Sequence, residues 1–167
     1  MVCRKRANQG GVQTKTMQPR KSIECDMYPP EQARRLFLSS HLTLGSLCCA
    51  GYFGLLGFSA LAGIVLGTSL LHWHDPKLKG WRRYVDLIWV QIAAVYHLYN
   101  SQQCAEPYRT AVYILWPTAI ACYANAIRNG LRKDFNRASW FHALGLHFIG
   151  NFANCIFYYG VHVLRRG

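Results

Sequence analysis

Polar side chains interrupt the last apolar run of the chain at helical spacing. His147, Asn151, Asn154 and Tyr158 stand at positions i, i+4, i+7 and i+11. At about 100° per residue these positions share one face of an α-helix, which we call the polar stripe. A buried polar group needs a partner, because leaving it unpaired is costly. The polar stripe therefore has two interpretations. It forms hydrogen bonds between neighbouring helices, or it forms a metal, substrate or proton site.

The polar stripe lies in one of four long segments without charge. The chain of 167 residues is 51% hydrophobic and 16% charged, with a mean hydropathy of +0.02. No Asp, Glu, Lys or Arg occurs in residues 36–74, 87–105, 110–127 or 138–164. The hydrocarbon core of a bilayer is about 30 Å thick and needs roughly 17–25 apolar residues per helix. These segments predict a polytopic membrane protein, and its spans must be helical because a lone strand would leave backbone groups unpaired in lipid.

The first of these segments is too long for one crossing. Residues 36–74 would extend about 58 Å as one helix, at 1.5 Å per residue. Gly51, Gly54 and Gly57 allow a tight turn near its middle, which predicts a hairpin. With a hairpin, residues 1–35 and the loops 77–83 and 128–137 share one side of the membrane and carry 16 of the 19 Lys and Arg residues. Since basic residues concentrate in cytoplasmic loops, this side and the N-terminus are predicted to be cytoplasmic.

The predicted fold class is therefore all-α, a polytopic membrane helix bundle of about five transmembrane helices with a glycine-rich N-terminal hairpin. Residues 1–35 are predicted to form a basic, disordered cytoplasmic tail, and residues 36–164 the bundle. The predicted spans cover about 36–53, 56–74, 84–100, 110–127 and 140–163. The identity of the membrane is left open.

This topology gathers a second group of polar residues toward the cytoplasmic side. The group consists of His41, His72, His74, Asp86, His142 and His147. Ser69 precedes His72 by nearly one helical turn. Imidazole and carboxylate suit zinc, and a zinc-bound water can act as a nucleophile near neutral pH. Asp86 has other interpretations, because it could orient a histidine ligand or pair with Arg82 or Arg83 at a helix start.

Some of these residues resemble the motifs of a known superfamily. Ser69-Leu-Leu-His72, Asp86 and His142-Ala-Leu-Gly-Leu-His147 are similar to the pattern of the transmembrane hydrolases that include alkaline ceramidases and the progestin and adiponectin receptors. The resemblance implies that His72, His142 and His147 bind zinc and that Ser69 and Asp86 assist catalysis. The superfamily has seven spans, and its histidine pair is four residues apart. His142 and His147 are five apart, about 140° on a regular helix, so sharing one metal requires an irregular helix.

Three functional hypotheses follow. The first is a small multi-pass protein that acts by helix–helix association, as an accessory or scaffold subunit of a membrane assembly. It would pack through the polar stripe and through Gly63 and Gly67, a GxxxG pair, against other subunits or a second copy. The second is a zinc-dependent membrane hydrolase of lipid amides or esters. The third is a small channel or carrier lined by the polar stripe. The net charge of +12 is explained by the cytoplasmic loops, so a nucleic-acid partner is disfavoured.

Overall fold

The regular elements of the described chain are helices, which confirms the all-α prediction for these residues. A computed structural model describes residues 27–167, so most of the predicted tail, residues 1–26, lies outside the described part. The helices are α1 (Pro30–Ser40), α2 (Thr43–Tyr52), α3 (Leu56–His74), α4 (Trp81–Tyr99), α5 (Tyr108–Leu131), α6 (Phe135–His142) and α7 (Asn151–Arg166). A π-helical segment, Ala143–Gly150, joins α6 to α7 without a break, and a 3-10 turn, Asn100–Gln103, follows α4.

These elements form five helical stretches within residues 27–167, since α1 continues into α2 and α6 runs through the π segment into α7. Two of the helices, α3 and α5, are long and apolar enough to cross a membrane by length and composition alone. The first stretch begins earlier than predicted, at Pro30 instead of residue 36. Proline favours the first position of a helix, and Ala33, Leu36 and Ser40 then bury one face of α1 while Glu31 and Arg34 are exposed.

The predicted hairpin turn lies between α2 and α3. Gly54 has a φ of +69°, a left-handed conformation that a residue without a Cβ adopts at little cost. The Leu55 amide donates to the Ala50 carbonyl at 2.9 Å and closes the turn. The side chain of Ser59 then donates to the Leu47 carbonyl at 3.3 Å, so α2 and α3 are also joined beyond the turn.

Helix α3 packs against α1, α2 and α4, whereas α5 packs against α6, the π segment and α7. The two groups are joined where α1 meets α6 and the π segment, and where α2 meets α7. Helix α4 packs mainly on α3 and therefore lies at the edge of the bundle. The C-terminal stretch consequently contacts both halves of the first arm of the hairpin, α1 and α2.

The amphipathic pattern of α4 is inverted. Its two buried residues are Asp86 and His97, which are both polar. Its outward face is apolar and aromatic, with Trp81, Tyr84, Ile88, Ile92, Val95, Leu98 and Tyr99 all exposed. A helix at a water-facing surface has the opposite arrangement, with its apolar residues toward the core. The exposed face of α4 is thus suited to lipid or to another apolar surface.

Gly145 sets the approach between the π segment and α5. A Cβ at this position would lie 2.6 Å from Cys122 Cβ and 2.8 Å from the Ala119 carbonyl oxygen. The second of these neighbours is backbone, which has little freedom to move away. A residue without a side chain is therefore required here for close packing.

We expect Gly145→Ala to lower the free energy of unfolding by about 1–3 kcal/mol, because the added methyl overlaps its neighbours. The measurement is thermal or denaturant unfolding of the purified protein in a mild detergent. Gly67→Ala is the matched control, since a Cβ at Gly67 meets nothing within 4 Å. Equal stability of the two variants would contradict the close approach.

Candidate functional site

A buried serine–carboxylate pair joins α3 to α4. Ser69 Oγ donates to Asp86 Oδ1 at 2.5 Å, and Thr68 Oγ1 approaches the same oxygen at 3.4 Å. The side chain of Arg83 instead donates to the Leu78 carbonyl at 2.7 Å. Among the described residues, Asp86 therefore takes its hydrogen bonds from the hydroxyls of α3 and not from an arginine at its own helix start.

The π segment brings His142 and His147 together. Their ring centroids are 5.1 Å apart, and the ring planes are nearly perpendicular at 81°. Hydrogen bonds in a π-helix run from residue i to i+5, so residues five apart stand about one turn apart on the same face. This is the irregularity that the five-residue spacing requires if both imidazoles are to face one point. Both side chains are buried.

Trp73 connects this pair to the end of α3. Its ring contacts the His72 ring at a centroid distance of 4.5 Å and the His142 ring at 5.2 Å. Tyr123 of α5 contacts the other side of His142, at 5.4 Å. His72 is buried, and its Nδ1 has no hydrogen-bond partner within residues 27–167. An unpaired buried nitrogen is unusual and indicates a place for a water, an ion or a reacting group.

Five of the residues singled out in the sequence thus lie in one region of the bundle, which we call the histidine–carboxylate cluster: Ser69, His72, Asp86, His142 and His147. Their positions do not form a ready coordination sphere. Within residues 27–167, no group of three or more His, Cys, Asp or Glu side chains is close enough to hold a metal ion. The cluster offers a pair of adjacent imidazoles, with His72 linked to them through Trp73.

Two histidines of the predicted group lie outside this cluster. His41 is exposed, and its Nδ1 lies 3.1 Å from the Phe37 carbonyl and 3.2 Å from the Leu38 carbonyl. His74 is also exposed and contacts the ring of Phe37 at 6.3 Å. These contacts are local to the surface of α1 and to the end of α3.

The N-terminal half of the polar stripe, His147 and Asn151, is hydrogen-bonded to the first helical stretch. His147 Nδ1 lies 2.6 Å from Ser39 Oγ, a contact with α1. Asn151 Oδ1 accepts from Ser46 Oγ at 2.7 Å, and its amide nitrogen donates to Thr43 Oγ1 at 3.2 Å, both on α2. The same amide nitrogen donates to the His147 carbonyl at 2.7 Å.

The C-terminal half of the polar stripe, Asn154 and Tyr158, is hydrogen-bonded to two other helices. Asn154 Oδ1 accepts from Trp116 Nε1 of α5 at 3.3 Å. The Tyr158 hydroxyl and His97 Nε2 of α4 are 2.9 Å apart, and both side chains are buried. The four residues of the polar stripe are therefore hydrogen-bonded to α1, α2, α5 and α4 in turn. Their geometry is that of interhelical contacts within one chain.

The two glycines of the GxxxG pair face different surroundings. A Cβ on Gly63 would lie 3.7 Å from Leu47 Cδ1 of α2, so this position packs inside the chain. Gly67 is exposed, with open space where its Cβ would be. The pair therefore does not act as one continuous packing surface in the single chain.

Several partners of these residues were not identified in the sequence. His97 lies within the charge-free segment 87–105, so the rule that picked out the polar stripe would also have found it. Ser39, Trp73 and Tyr123 carry no such signal, because serine and aromatic residues are ordinary in membrane helices. Their roles arise only from the packing of helices that are distant in sequence.

The chain matches no known protein family model, no curated protein and no solved structure. The resemblance to the transmembrane hydrolases consequently stays a prediction.

We expect Asn151→Ala to lower the free energy of unfolding in detergent by about 0.5–2 kcal/mol, because Ser46 and Thr43 lose their partner. Asn125→Ala is the matched control. The Asn125 amide bonds only to the Ala121 carbonyl of its own helix and is exposed. Thermal unfolding followed by circular dichroism compares the two variants. A loss as large for Asn125→Ala would contradict an interhelical role for Asn151.

Proposed function

We propose that the chain is an integral membrane protein in which all five helical stretches lie in the bilayer, with the N-terminus and the histidine–carboxylate cluster toward the cytoplasm. The inverted pattern of α4 supports this, since Asp86 and His97 face inward and apolar side chains face outward. Polar side chains in membrane helices face the protein interior because their exposure to lipid is costly. The two span-capable helices and the distribution of basic residues are consistent with it.

Within this frame, we propose that the protein hydrolyses a lipid ester or amide at the histidine–carboxylate cluster. The observation that carries the proposal is the buried hydrogen bond of 2.5 Å between Ser69 and Asp86, with the buried His72 about one helical turn from Ser69 on α3. A hydroxyl within hydrogen-bond reach of a carboxylate is a common arrangement for activating a nucleophile. The side chains of the polar stripe are already hydrogen-bonded within the chain. By contrast, Nδ1 of His72 has no hydrogen-bond partner among the described residues, so it is available to take part in a reaction.

The residues have separate parts in this proposal. Asp86 orients the Ser69 hydroxyl and can accept a proton from it, or from a water that replaces it. His72 has a free ring nitrogen in the same region, so it can take up or return a proton at Nδ1. The surrounding apolar helices exclude bulk water, and this strengthens each electrostatic contact in the cluster. The substrate class follows from the location, because lipid linkages are the acyl compounds present at this depth.

Zinc fits the donors of the cluster, though not yet their arrangement. Neutral imidazoles are common zinc ligands, and the rings of His142 and His147 are adjacent, with centroids 5.1 Å apart. His72 would have to draw toward this pair, because no three donors are close enough within the described residues. When bound, zinc would supply a Lewis acid and a water of lowered pKa.

Helix–helix association is the second candidate, and one observation favours it. Gly67 is exposed with open space above it, so the close approach of another helix is possible at that position. The polar stripe does not support association with another chain, because the side chains of the stripe are hydrogen-bonded within this chain. A channel lined by the stripe would have to break those same hydrogen bonds.

Metal content distinguishes these candidates first. If His72 moves to the His142–His147 pair and zinc binds there, protein purified in mild detergent, without chelator or His-tag, should retain about one zinc per chain by mass spectrometry. His142→Ala should lose the metal, because its imidazole is a proposed ligand without a place in the polar stripe. His41→Ala should retain it, since that histidine is exposed and outside the cluster. Zinc retained in full by His142→Ala would contradict a site at this pair.

Hydrolysis is the direct test. The purified protein is incubated with long-chain acyl esters and N-acyl amides in mixed micelles, and the released fatty acid is measured by mass spectrometry. Ser69→Ala and Asp86→Asn should each reduce turnover by about 100-fold or more, the usual size of a lost acid–base partner. Ser59→Ala is the control on the same helix, because that hydroxyl bonds to the Leu47 carbonyl. Undiminished turnover in Asp86→Asn would exclude this mechanism.

The topology has its own test. Five crossings put the two ends of the chain on opposite sides, so a reporter fused after Gly167 should lie outside and one fused before Met1 inside. Protease protection of sealed vesicles measures both. Finding both reporters on one side would show that one of the five stretches does not cross.

A further inference from the structure

An apolar groove runs along the outside of the bundle between the α1–α2 break and the C-terminal stretch. Its volume is about 500 Å³. Leu42, Phe141, Leu144 and Phe148 line most of its length, and Trp140 lies toward one end. Four of these five side chains are about half exposed: Leu42, Trp140, Leu144 and Phe148. A groove of this size is large enough for a ligand of several hundred Å³.

Positive charge is confined to one end of the groove. Arg137 lines that end and is largely exposed, with an ion pair of 3.4 Å to Asp134 that occupies its Nε. The guanidinium of Arg35 lies 4.4 Å above the ring of Trp140 and donates to Asn136 Oδ1 at 2.9 Å and to Ser139 Oγ at 2.8 Å. The positive end therefore has Arg137 in its lining, and Arg35 lies beside it on the ring of Trp140.

The groove thus has the polarity of an amphiphile. From Arg137 to Phe148 the helical stretch makes about three turns, starting at a charged end and finishing among apolar rings. In the proposed topology, Arg137 lies at the cytoplasmic interface and Phe148 lies deeper in the bilayer. The cytoplasmic leaflet is the one that carries anionic lipids, which attract arginine near the membrane surface.

We propose that this groove binds one acyl chain of an anionic phospholipid from the surrounding bilayer, with the phosphate at Arg137 and the chain extending toward Phe148. The proposal rests on the membrane location and does not require the hydrolase activity. A second copy of the chain fits the groove less well, since its charged end would need a complementary acidic helix face. Within the described helices the acidic residues are Glu31, in the first turn of α1, and Asp86, which is buried.

The groove also reaches the histidine–carboxylate cluster. Ser39 lines it, and the Ser39 hydroxyl lies 2.6 Å from His147 Nδ1. A lipid chain in the groove consequently contacts the residue that orients His147. The bound lipid would stabilise the pairing of His147 with α1 and exclude water from that side of the cluster.

The test uses the full chain in nanodiscs that contain a diazirine-bearing acyl chain on either phosphatidylglycerol or phosphatidylcholine. After illumination, labelled peptides are identified by mass spectrometry. We expect labelling of the Trp140–Phe148 region, about fivefold stronger with phosphatidylglycerol. Arg137→Gln should remove that preference and leave the weaker labelling by phosphatidylcholine. Leu144→Trp should fill the groove and abolish the label there.

Ile114→Trp is the matched control, because Ile114 is an exposed apolar residue of α5 outside the groove. It should leave groove labelling unchanged. Labelling spread over α4 and α5 as strongly as over the groove, without preference for phosphatidylglycerol, would overturn the lipid site and leave the membrane location standing. An absence of labelling on every helix would overturn both. Since Arg137 is exposed, Arg137→Gln remains informative even if Leu144→Trp fails to fold.

Discussion

The hydrogen bonds that leave the C-terminal stretch for four other helices hold this bundle together. In apolar surroundings a polar side chain without a partner costs more than a paired one gains, so the pairing is close to obligatory. Because hydrogen bonds are directional, each of them fixes both the rotation and the height of the helix it reaches. Asn151 does this for α2, and Tyr158 with His97 does it for α4. The helices therefore pack in a defined register as well as through apolar contacts.

His147 belongs both to the interhelical hydrogen-bond network and to the histidine–carboxylate cluster. One ring nitrogen contacts Ser39 of α1, which makes the residue part of the interhelical network, while its ring packs against His142 in the cluster. Any chemistry at the cluster is thus mechanically linked to the junction between α1 and the π segment. The groove proposed to bind lipid opens at the same junction, and Ser39 lies on its wall. The interhelical hydrogen bonds, the proposed catalytic cluster and the proposed lipid groove therefore meet around this one imidazole.

Much of the fold was predictable because its signals are local. Charge-free segments placed the helices, and the Gly54 turn followed from the length of residues 36–74. The start of α1 was placed too late, because charge was taken as the boundary although Pro30 carries a helix-start signal. The polar stripe followed from a period of 3.6 residues. Its partners, such as Ser39 and Trp116, depend on which distant helices become neighbours, and no local pattern encodes that.

The π segment has a consequence for how the histidine pair should be compared with other sequences. Two histidines five apart in a π turn occupy equivalent places to two histidines four apart in an α turn, because the wider turn absorbs one extra residue. Removing one of the four residues between His142 and His147, and the π turn with it, would thus preserve the relation between the two rings while changing the written motif. The π segment therefore determines where the two rings lie, and the number of residues between them does not do so alone. The extra residue also rotates α7 relative to α6 about the helix axis, so the two helices pack against different neighbours, α6 against α1 and α7 against α2.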